Sequence, residues 1–170
     1  MRAMLRRVDP LKRRGPLYRA MCRLSTTRAG AWLSVNVAWK LDPYLLELTR
    51  GRLSSAWPVR AALLETRGAR SGQPRRTSTL YFHDGDRVTL VAALRGWPRH
   101  PAWYHNLRKN PDVVFGGEAF RAEVVEDEGE RRRLWDLAER VYPQYAVFRE
   151  EAAKTGREIP IVQLIPTIVP

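Results

Sequence analysis

The chain has 170 residues, of which 44% are hydrophobic, so it is long enough to bury a core without covalent cross-links. Its one cysteine, Cys22, excludes an intramolecular disulfide and a cysteine-rich zinc site, and fits a reducing cytoplasm. The formal net charge of +12 suggests a nucleic-acid partner, yet residues 1–30, with nine basic side chains and one acidic, account for +8 of it. Aromatic and basic residues are not interleaved in the remainder, which disfavours nucleic-acid binding.

Residues 1–30 form a basic N-terminal arm with two open interpretations. The arm has no apolar run near the roughly 20 residues of a membrane-spanning helix, and Arg6-Arg7 precedes no signal-peptide pattern. Apolar residues recur at loosely helical spacing, at Leu5, Val8, Leu11, Leu17, Met21 and Leu24. The arm is therefore either an amphipathic segment on an anionic membrane surface, peripheral at its cytoplasmic face, or a segment without a partner.

Residues 31–57 have the pattern of two short helices. Apolar side chains recur every three or four residues, at Trp32, Val35, Trp39, Tyr44, Leu45, Leu48 and Leu53. Asp42 followed by Pro43 predicts the N-cap and the first position of the second helix.

After Pro58 the sequence changes to strands. A buried strand is predicted for VRAALLET (59–66), and TSTLYFH (77–83) and RVTLVAAL (87–94) flank a turn at Asp84-Gly85. The stretch VVFGGEAFRAEVVE (113–126) folds back at Gly116-Gly117. The middle of the chain is therefore predicted to be an antiparallel sheet.

Helices interrupt and follow this sheet. Pro101 predicts a helix over 102–109, and the amphipathic stretch EGERRRLWDLAERVY (128–142) is followed by a second helix that starts at Pro143. The stretch IPIVQLIP (159–166) supplies a last strand. Together these elements predict an α+β fold with a small barrel, as a single domain over residues 31–170.

The loop GARSGQPR (68–75) has the composition of an anion site. Two glycines, a hydroxyl and the guanidinium groups of Arg70 and Arg75 are able to converge on a phosphate. The spacing matches neither a Walker loop nor a dinucleotide fingerprint, and a simple turn between two strands is the alternative.

The stretch PRHPAWYHNLRKNP (98–111) raises the question of a metal or a flat ligand. His100 and His105 lie five residues apart, off the spacing of a helical metal site, so no metal is predicted. Trp103 has the pattern of a core residue. Asn106 shares a helix face with it, and a buried amide needs partners, which a flat heterocycle with carbonyl and N–H edges would supply.

In order and spacing, residues 59–166 resemble the deazaflavin-dependent nitroreductase family. The matching stretches are GARSGQPR (68–75), Asp84-Gly85-Asp86, 92–96, PAWYHNLRKNPDV (101–113), Tyr142-Pro143-Gln144-Tyr145 and IPIVQLIP (159–166). The resemblance implies a split β-barrel of the flavin-reductase-like superfamily, monomeric or homodimeric. It also implies an enzyme that binds the 5-deazaflavin coenzyme F-420 and passes a hydride from it to an electron-poor quinone, enone or nitro compound.

The same resemblance implies the site residues. One set is implied to bind the phosphate and acidic tail of the cofactor: Ala69, Arg70, Ser71, Gly72, Gln73, Pro74 and Arg75. A second set is implied to lie along the deazaflavin ring: Val91, Ala92, Ala93, Leu94, Ala102, Trp103 and Asn106. Tyr142 and Tyr145 are implied as catalytic residues facing the acceptor, with Tyr145 as the proton donor, while His100 and His105 are expected to face solvent.

Several residues depart from the family pattern. Ala69, Ala93, Leu94 and Arg95 replace residues that are common there, and Phe148 stands where some relatives have a third tyrosine. Cofactor choice and substrate range therefore stay open. The alternatives are an oxidoreductase of the same fold that uses FMN, and a non-catalytic protein that binds deazaflavin or lipid.

Overall fold

The structure, a computed structural model, describes residues 5–24, 39–49, 51, 53–56 and 58–167. The elements are α1 (Pro16–Leu24), α2 (Trp39–Leu48), β1 (Ala61–Arg67), β2 (Pro74–Leu80), β3 (Phe82–Asp84), β4 (Arg87–Val91), a 3-10 turn (Leu94–Gly96), α3 (Ala102–Lys109), β5 (Asp112–Phe115), β6 (Glu118–Val124), α4 (Glu128–Val141), α5 (Gln144–Ala153) and β7 (Ile161–Pro166). The first of the two helices predicted between 31 and 57 lies outside the described residues.

The seven strands form one antiparallel sheet in the order β2-β1-β5-β6-β7-β4-β3. β2, at one edge, also contacts β4, which lies next to the opposite edge, so the sheet curls toward closure. This arrangement confirms the predicted α+β fold with a split β-barrel.

The core lies where the curled sheet meets α4. Four successive residues of β7, at positions 161–164, are buried, and α4 packs against this strand. α4 contributes Leu134, Ala138 and Val141, all buried and spaced three or four residues apart. Burial of each such leucine or valine stabilises the fold by about 1.5 to 3 kcal/mol.

Glycine turns set the register of both predicted hairpins. Asp84 pairs with Arg87 around Gly85, and Phe115 pairs with Glu118 around Gly116 and Gly117. All three glycines have positive φ, between 57° and 86°, the conformation that two-residue hairpin loops require and that other residues adopt at a cost. Both hairpins are confirmed.

The strand predicted over 77–83 is divided at Tyr81. The residues before it pair with β1, and those after it pair with β4. Tyr81 itself is buried, and its hydroxyl donates to the carbonyl of Arg6 at 2.8 Å. The break allows the chain to pass from one edge of the curled sheet to the other.

The predicted N-cap at Asp42 is wrong. α2 begins at Trp39, and Pro43 lies inside the helix. The buried carboxylate of Asp42 instead accepts hydrogen bonds from the Ser55 N–H (2.7 Å) and from the hydroxyls of Ser54 and Ser78 (3.2 Å each). Asp42 therefore ties α2 to β2 and to the following turn, through partners distant in sequence.

The described part of the basic arm is attached to the barrel at both ends. The backbone of Val8 exchanges hydrogen bonds with His83, through the His83 N–H (2.8 Å) and ring Nδ1 (3.1 Å). Tyr18, on α1, donates to the Val141 carbonyl at 2.8 Å, and Cys22 is buried. Residues 25–38 are not described, so the domain boundary at residue 30 stays a prediction. No helix among the described residues is long and apolar enough to cross a bilayer.

Candidate functional site

Helix α3 connects the two stretches that the sequence analysis singled out. It runs from Ala102 to Lys109 after Pro101, as predicted, and packs on β1 and β6. Trp103 and Asn106 are buried, whereas Ala102 is exposed. The N-terminus of α3 therefore follows the loop 92–100, and its C-terminal half faces the loop 68–73.

The amide of Asn106 is satisfied by the protein itself. Its Oδ1 accepts from the Ala69 N–H at 2.9 Å, and its Nδ2 donates to Thr66 Oγ1 at 3.0 Å. Lys109, one turn further along, donates to the Ala69 carbonyl at 2.7 Å. A flat ligand is therefore not needed to satisfy this amide, and the structural task of Asn106 is to hold the loop 68–73 against α3.

The loop 68–73 is a tight turn closed by its own backbone. The Gly68 N–H donates to the Gln73 carbonyl (2.9 Å), and the Gly72 N–H donates to the Gly68 carbonyl (2.8 Å). A Cβ on Gly68 would lie 2.7 Å from Ser71 Oγ and 3.3 Å from the Gln73 carbonyl oxygen, so a larger residue there would displace the Ser71 hydroxyl. Gly72 has a φ of +67°. The presence of glycine at positions 68 and 72 is thus explained by the conformation and packing of the loop itself.

Positive charge is concentrated around this loop. Arg70 and Arg75 are exposed, and neither forms an ion pair with any residue that the structure describes. Ser71, Gly72, Gln73 and Pro74 are exposed beside them, and Ala69 is half-buried. The two guanidinium groups are thus available to an anionic ligand, whereas Arg76, the next residue of the strand, is paired with Glu65 and Glu47.

The strand predicted over 87–94 ends at Val91, three residues early. Ala92 and Ala93 are buried outside the sheet, and Leu94 (φ +43°) and Arg95 (φ +57°) adopt left-handed backbone conformations. Such conformations cost non-glycine residues about 1 to 2 kcal/mol each, and persist where the surroundings enforce them. The proposed ring-side segment is therefore a strained loop rather than a strand.

Arg157, which the sequence analysis did not single out, binds this loop. Its guanidinium donates to the carbonyls of Ala92, Ala93 (2.9 Å) and Trp97 (2.7 Å). A fourth hydrogen bond is donated by its Nε to Nδ1 of His100 at 3.2 Å. Nothing in the sequence marks this arginine beyond its position just before the buried strand β7.

The two histidines of the aromatic stretch differ in environment. His105 is exposed, as expected, but His100 is half-buried and accepts the hydrogen bond from Arg157, so the expectation that it faces solvent is wrong. Burial and the adjacent Arg157 both lower the pKa of His100. The neutral ring is the form that presents a lone pair to the guanidinium.

An aromatic cluster lies beside the strained loop. The ring centroids of Tyr142 and Tyr145 are 5.3 Å apart at 88°, and Phe148 is 6.1 Å from Tyr142 and 6.3 Å from Tyr145. The backbone of α5 abuts the 3-10 turn so closely that a Cβ on Gly96 would lie 2.6 Å from the Phe148 carbonyl oxygen. The three rings thus form one cluster next to the 3-10 turn.

The two tyrosines differ in exposure. Tyr145 is buried, which raises the pKa of its hydroxyl, and this hydroxyl forms no hydrogen bond with the described residues. Tyr142 is half-buried.

The fold thus brings the predicted residues into three adjacent groups. The first is the cationic loop 68–75, the second is the segment 91–94 with α3, and the third is the tyrosine cluster. A curled split barrel that carries these groups defines the class of small-molecule oxidoreductases with a flavin-reductase-like fold.

The chain belongs to the family of F420H(2)-dependent quinone reductases, whose profile matches residues 42–166. The protein named F420H(2)-dependent quinone reductase in Mycobacterium tuberculosis is 38% identical over 144 residues, which cover 78% of this chain and 95% of the relative. The solved structure of an F420-H2 dependent reductase (FDR-A) is 31% identical and aligns with a TM-score of 0.53 over 61% of this chain and 92% of its own. A structure described as a domain-swapped dimer is 28% identical, with a TM-score of 0.54 over 71% of this chain and 96% of its own.

Proposed function

We propose that the protein binds the deazaflavin coenzyme F-420 and catalyses two-electron reduction of a quinone or a similar electron-poor acceptor. The observation that carries the proposal is the family match over 42–166, which includes all three groups of the candidate site. When bound, reduced deazaflavin supplies a hydride, and the protein supplies position, exclusion of water and a proton.

The cationic loop fits the anionic part of the cofactor. Arg70 and Arg75 are exposed and unpaired among the described residues, so binding a phosphate requires no existing ion pair to break. Asn106 and Lys109 hold the loop from behind, which reduces the entropy cost of ordering it around a ligand.

The ring-side segment fits a flat heterocycle. Ala92 and Ala93 have small side chains, and the left-handed conformations of Leu94 and Arg95 turn the backbone sharply beside them. Trp103 is buried on α3, and we assign its rigid ring to the wall of this part of the site. We assign to this part of the site Val91, Ala92, Ala93, Leu94, Ala102 and Trp103. We assign Asn106 to its junction with the anion loop, because the amide of Asn106 holds that loop against α3.

The acceptor is assigned to the aromatic cluster. Tyr142 is half-buried, and Tyr145 has a hydroxyl without a hydrogen-bond acceptor among the described residues. A phenol of this kind is able to donate to the oxygen of an acceptor on which negative charge develops as the hydride arrives.

The test is a coupled binding and turnover measurement on the full chain. Reduced deazaflavin is expected to bind and to be oxidised on addition of a quinone, an enone or a nitroaromatic compound, whereas reduced FMN is expected to give no turnover. Turnover with FMN alone would favour the flavin alternative. Tight deazaflavin binding without oxidation by any acceptor would show a sequestering protein instead.

We further propose that the basic arm holds the protein at the cytoplasmic face of an anionic membrane, from which an apolar quinone is supplied. The described part of the arm exposes Leu11 (64%) and Leu17 (73%) beside the exposed basic residues Lys12, Arg13 and Arg19. Leucines among basic residues match the requirements of an interfacial segment, because each cation contributes about 1 kcal/mol at an anionic surface.

Charge reversal tests the arm without removing it. Deletion would also remove the buried Val8 and Cys22, so Lys12, Arg13 and Arg19 are instead changed together to glutamate. Sedimentation with vesicles containing anionic lipid is expected to fall at least tenfold, while turnover of a water-soluble quinone is unchanged.

A matched control keeps the net charge of that variant. Arg60, Arg132 and Lys154 are exposed cations of the body, and changing all three to glutamate gives the same total charge. This control is expected to retain vesicle binding. Equal loss of binding in both variants would mean that net charge alone governs adhesion, which contradicts a specific role for the arm.

A further inference from the structure

Arg157 makes an unusual set of contacts for a side chain outside any motif. The residue is half-buried between the end of α5 and β7, and burial lowers its pKa. Three of its four side-chain hydrogen bonds go to backbone carbonyls, of Ala92, Ala93 and Trp97, and the fourth goes to His100. It forms no ion pair with a described carboxylate, so among the described residues its guanidinium binds only the loop carbonyls and His100.

These carbonyls lie on both sides of a strained turn. Ala92 and Ala93 precede it, and Trp97 follows it. Between them Leu94, Arg95 and Gly96 have φ values of +43°, +57° and +80°. Three successive left-handed residues, two of them not glycine, are unfavourable by themselves, so the contacts at either end have to enforce them. One planar guanidinium spans the turn and joins its two ends.

The fourth contact extends the effect to α3. The ring of His100 lies 5.0 Å from that of Tyr104, in the first turn of α3. Further along the same helix, Asn106 and Lys109 hold the loop 68–73. Arg157 is thus joined to the segment 91–94 by its own hydrogen bonds, and to the loop 68–73 through His100 and α3.

We propose that Arg157 is a positioning residue for deazaflavin: it fixes residues 94–96 of the loop 92–97 in their left-handed conformation and aligns this loop with α3. The inference rests on the proposed function. Arg157 acts through the segment 91–94, which is assigned to the ring. The planar fork is essential, because a lysine ammonium cannot reach carbonyls in three directions together with an imidazole.

The test uses Arg157→Lys and Arg157→Gln in the full chain. Both variants are expected to lose turnover by about tenfold to a hundredfold at saturating deazaflavin, since displacement of about 1 Å at a reacting centre costs up to about a hundredfold. The KM for the quinone is expected to change much less, because the acceptor is assigned to the tyrosine cluster.

Arg131→Gln is the matched control for stability. Arg131 is also half-buried, and it binds Glu158, the neighbour of Arg157 in sequence, at 2.8 Å, without contact to the loop. Its melting temperature is expected to fall as in the Arg157 variants, while its turnover remains that of the wild type. Loss of turnover that merely follows melting temperature across all three variants would overturn the inference.

A rescue variant separates positioning from general damage. Glycine adopts positive φ without the cost that arginine pays, so Arg95→Gly in the Arg157→Gln background is expected to recover at least part of the lost turnover. Failure of this rescue overturns the inference. The two hypotheses also fail separately: wild-type protein that does not oxidise deazaflavin refutes the proposed function, whereas active wild type with equally active Arg157→Gln refutes only the positioning role.

Discussion

Replacement of Arg70 and Arg75 together by alanine is expected to weaken deazaflavin binding by about a hundredfold or more. Both guanidinium groups are exposed and unpaired among the described residues, so their charge is available to the anionic part of the cofactor. A charge-assisted hydrogen bond contributes about 1.5 to 3 kcal/mol, which corresponds to roughly tenfold or more for each arginine. The dissociation constant, measured by titration of the reduced cofactor, should also lose much of its salt dependence.

Arg76→Ala is the matched control for this prediction. Arg76 follows Arg75 in β2 and is also exposed, but its guanidinium is already bound by Glu65 (3.1 Å) and Glu47 (3.3 Å). The cofactor affinity of this variant should stay within about threefold of the wild type, because an exposed pair of this kind contributes little. If the double variant binds deazaflavin as tightly as Arg76→Ala does, the loop 68–75 does not hold the anion.

Local patterns were sufficient to predict most of the elements. Pro101 predicted the start of α3, and the glycine turns at 85 and 116–117 predicted both hairpins, because their conformational requirements are set by neighbours in sequence. The Asp42-Pro43 pattern failed for the converse reason. A buried carboxylate takes its partners from wherever the fold places them, and all three partners of Asp42 lie more than ten residues away.

The candidate site was predicted as a set of loops but not as a connected structure. The composition of 68–75 indicates an anion ligand, and the resemblance supplies the ring-side segment and the tyrosines. The contacts that hold these parts together are tertiary: Asn106 to Thr66 and Ala69, and Arg157 to the loop 92–97. An arginine that binds carbonyls has no sequence signature, because any backbone is able to accept its hydrogen bonds.

Tyr145→Phe is expected to lower turnover of a quinone or nitro acceptor by about tenfold to a hundredfold, with deazaflavin affinity changed less than about threefold. Its hydroxyl has no hydrogen-bond acceptor among the described residues, so its removal should leave the melting temperature nearly unchanged. Burial raises the pKa of Tyr145, which therefore remains a protonated donor across pH 6 to 9, and wild-type turnover should show no titration of this group there.

Tyr81→Phe gives the control for the loss of a buried phenol hydroxyl. Tyr81 is also buried, and burial raises its pKa, but its hydroxyl donates to the Arg6 carbonyl at 2.8 Å, at the edge where the arm meets the sheet. This variant should lose stability and keep its turnover, the reverse of Tyr145→Phe. If Tyr145→Phe keeps wild-type turnover while Tyr142→Phe loses it, the half-buried Tyr142 is the donor. If both keep wild-type turnover across pH 6 to 9, the proton comes from solvent, and the cluster only shapes the acceptor site.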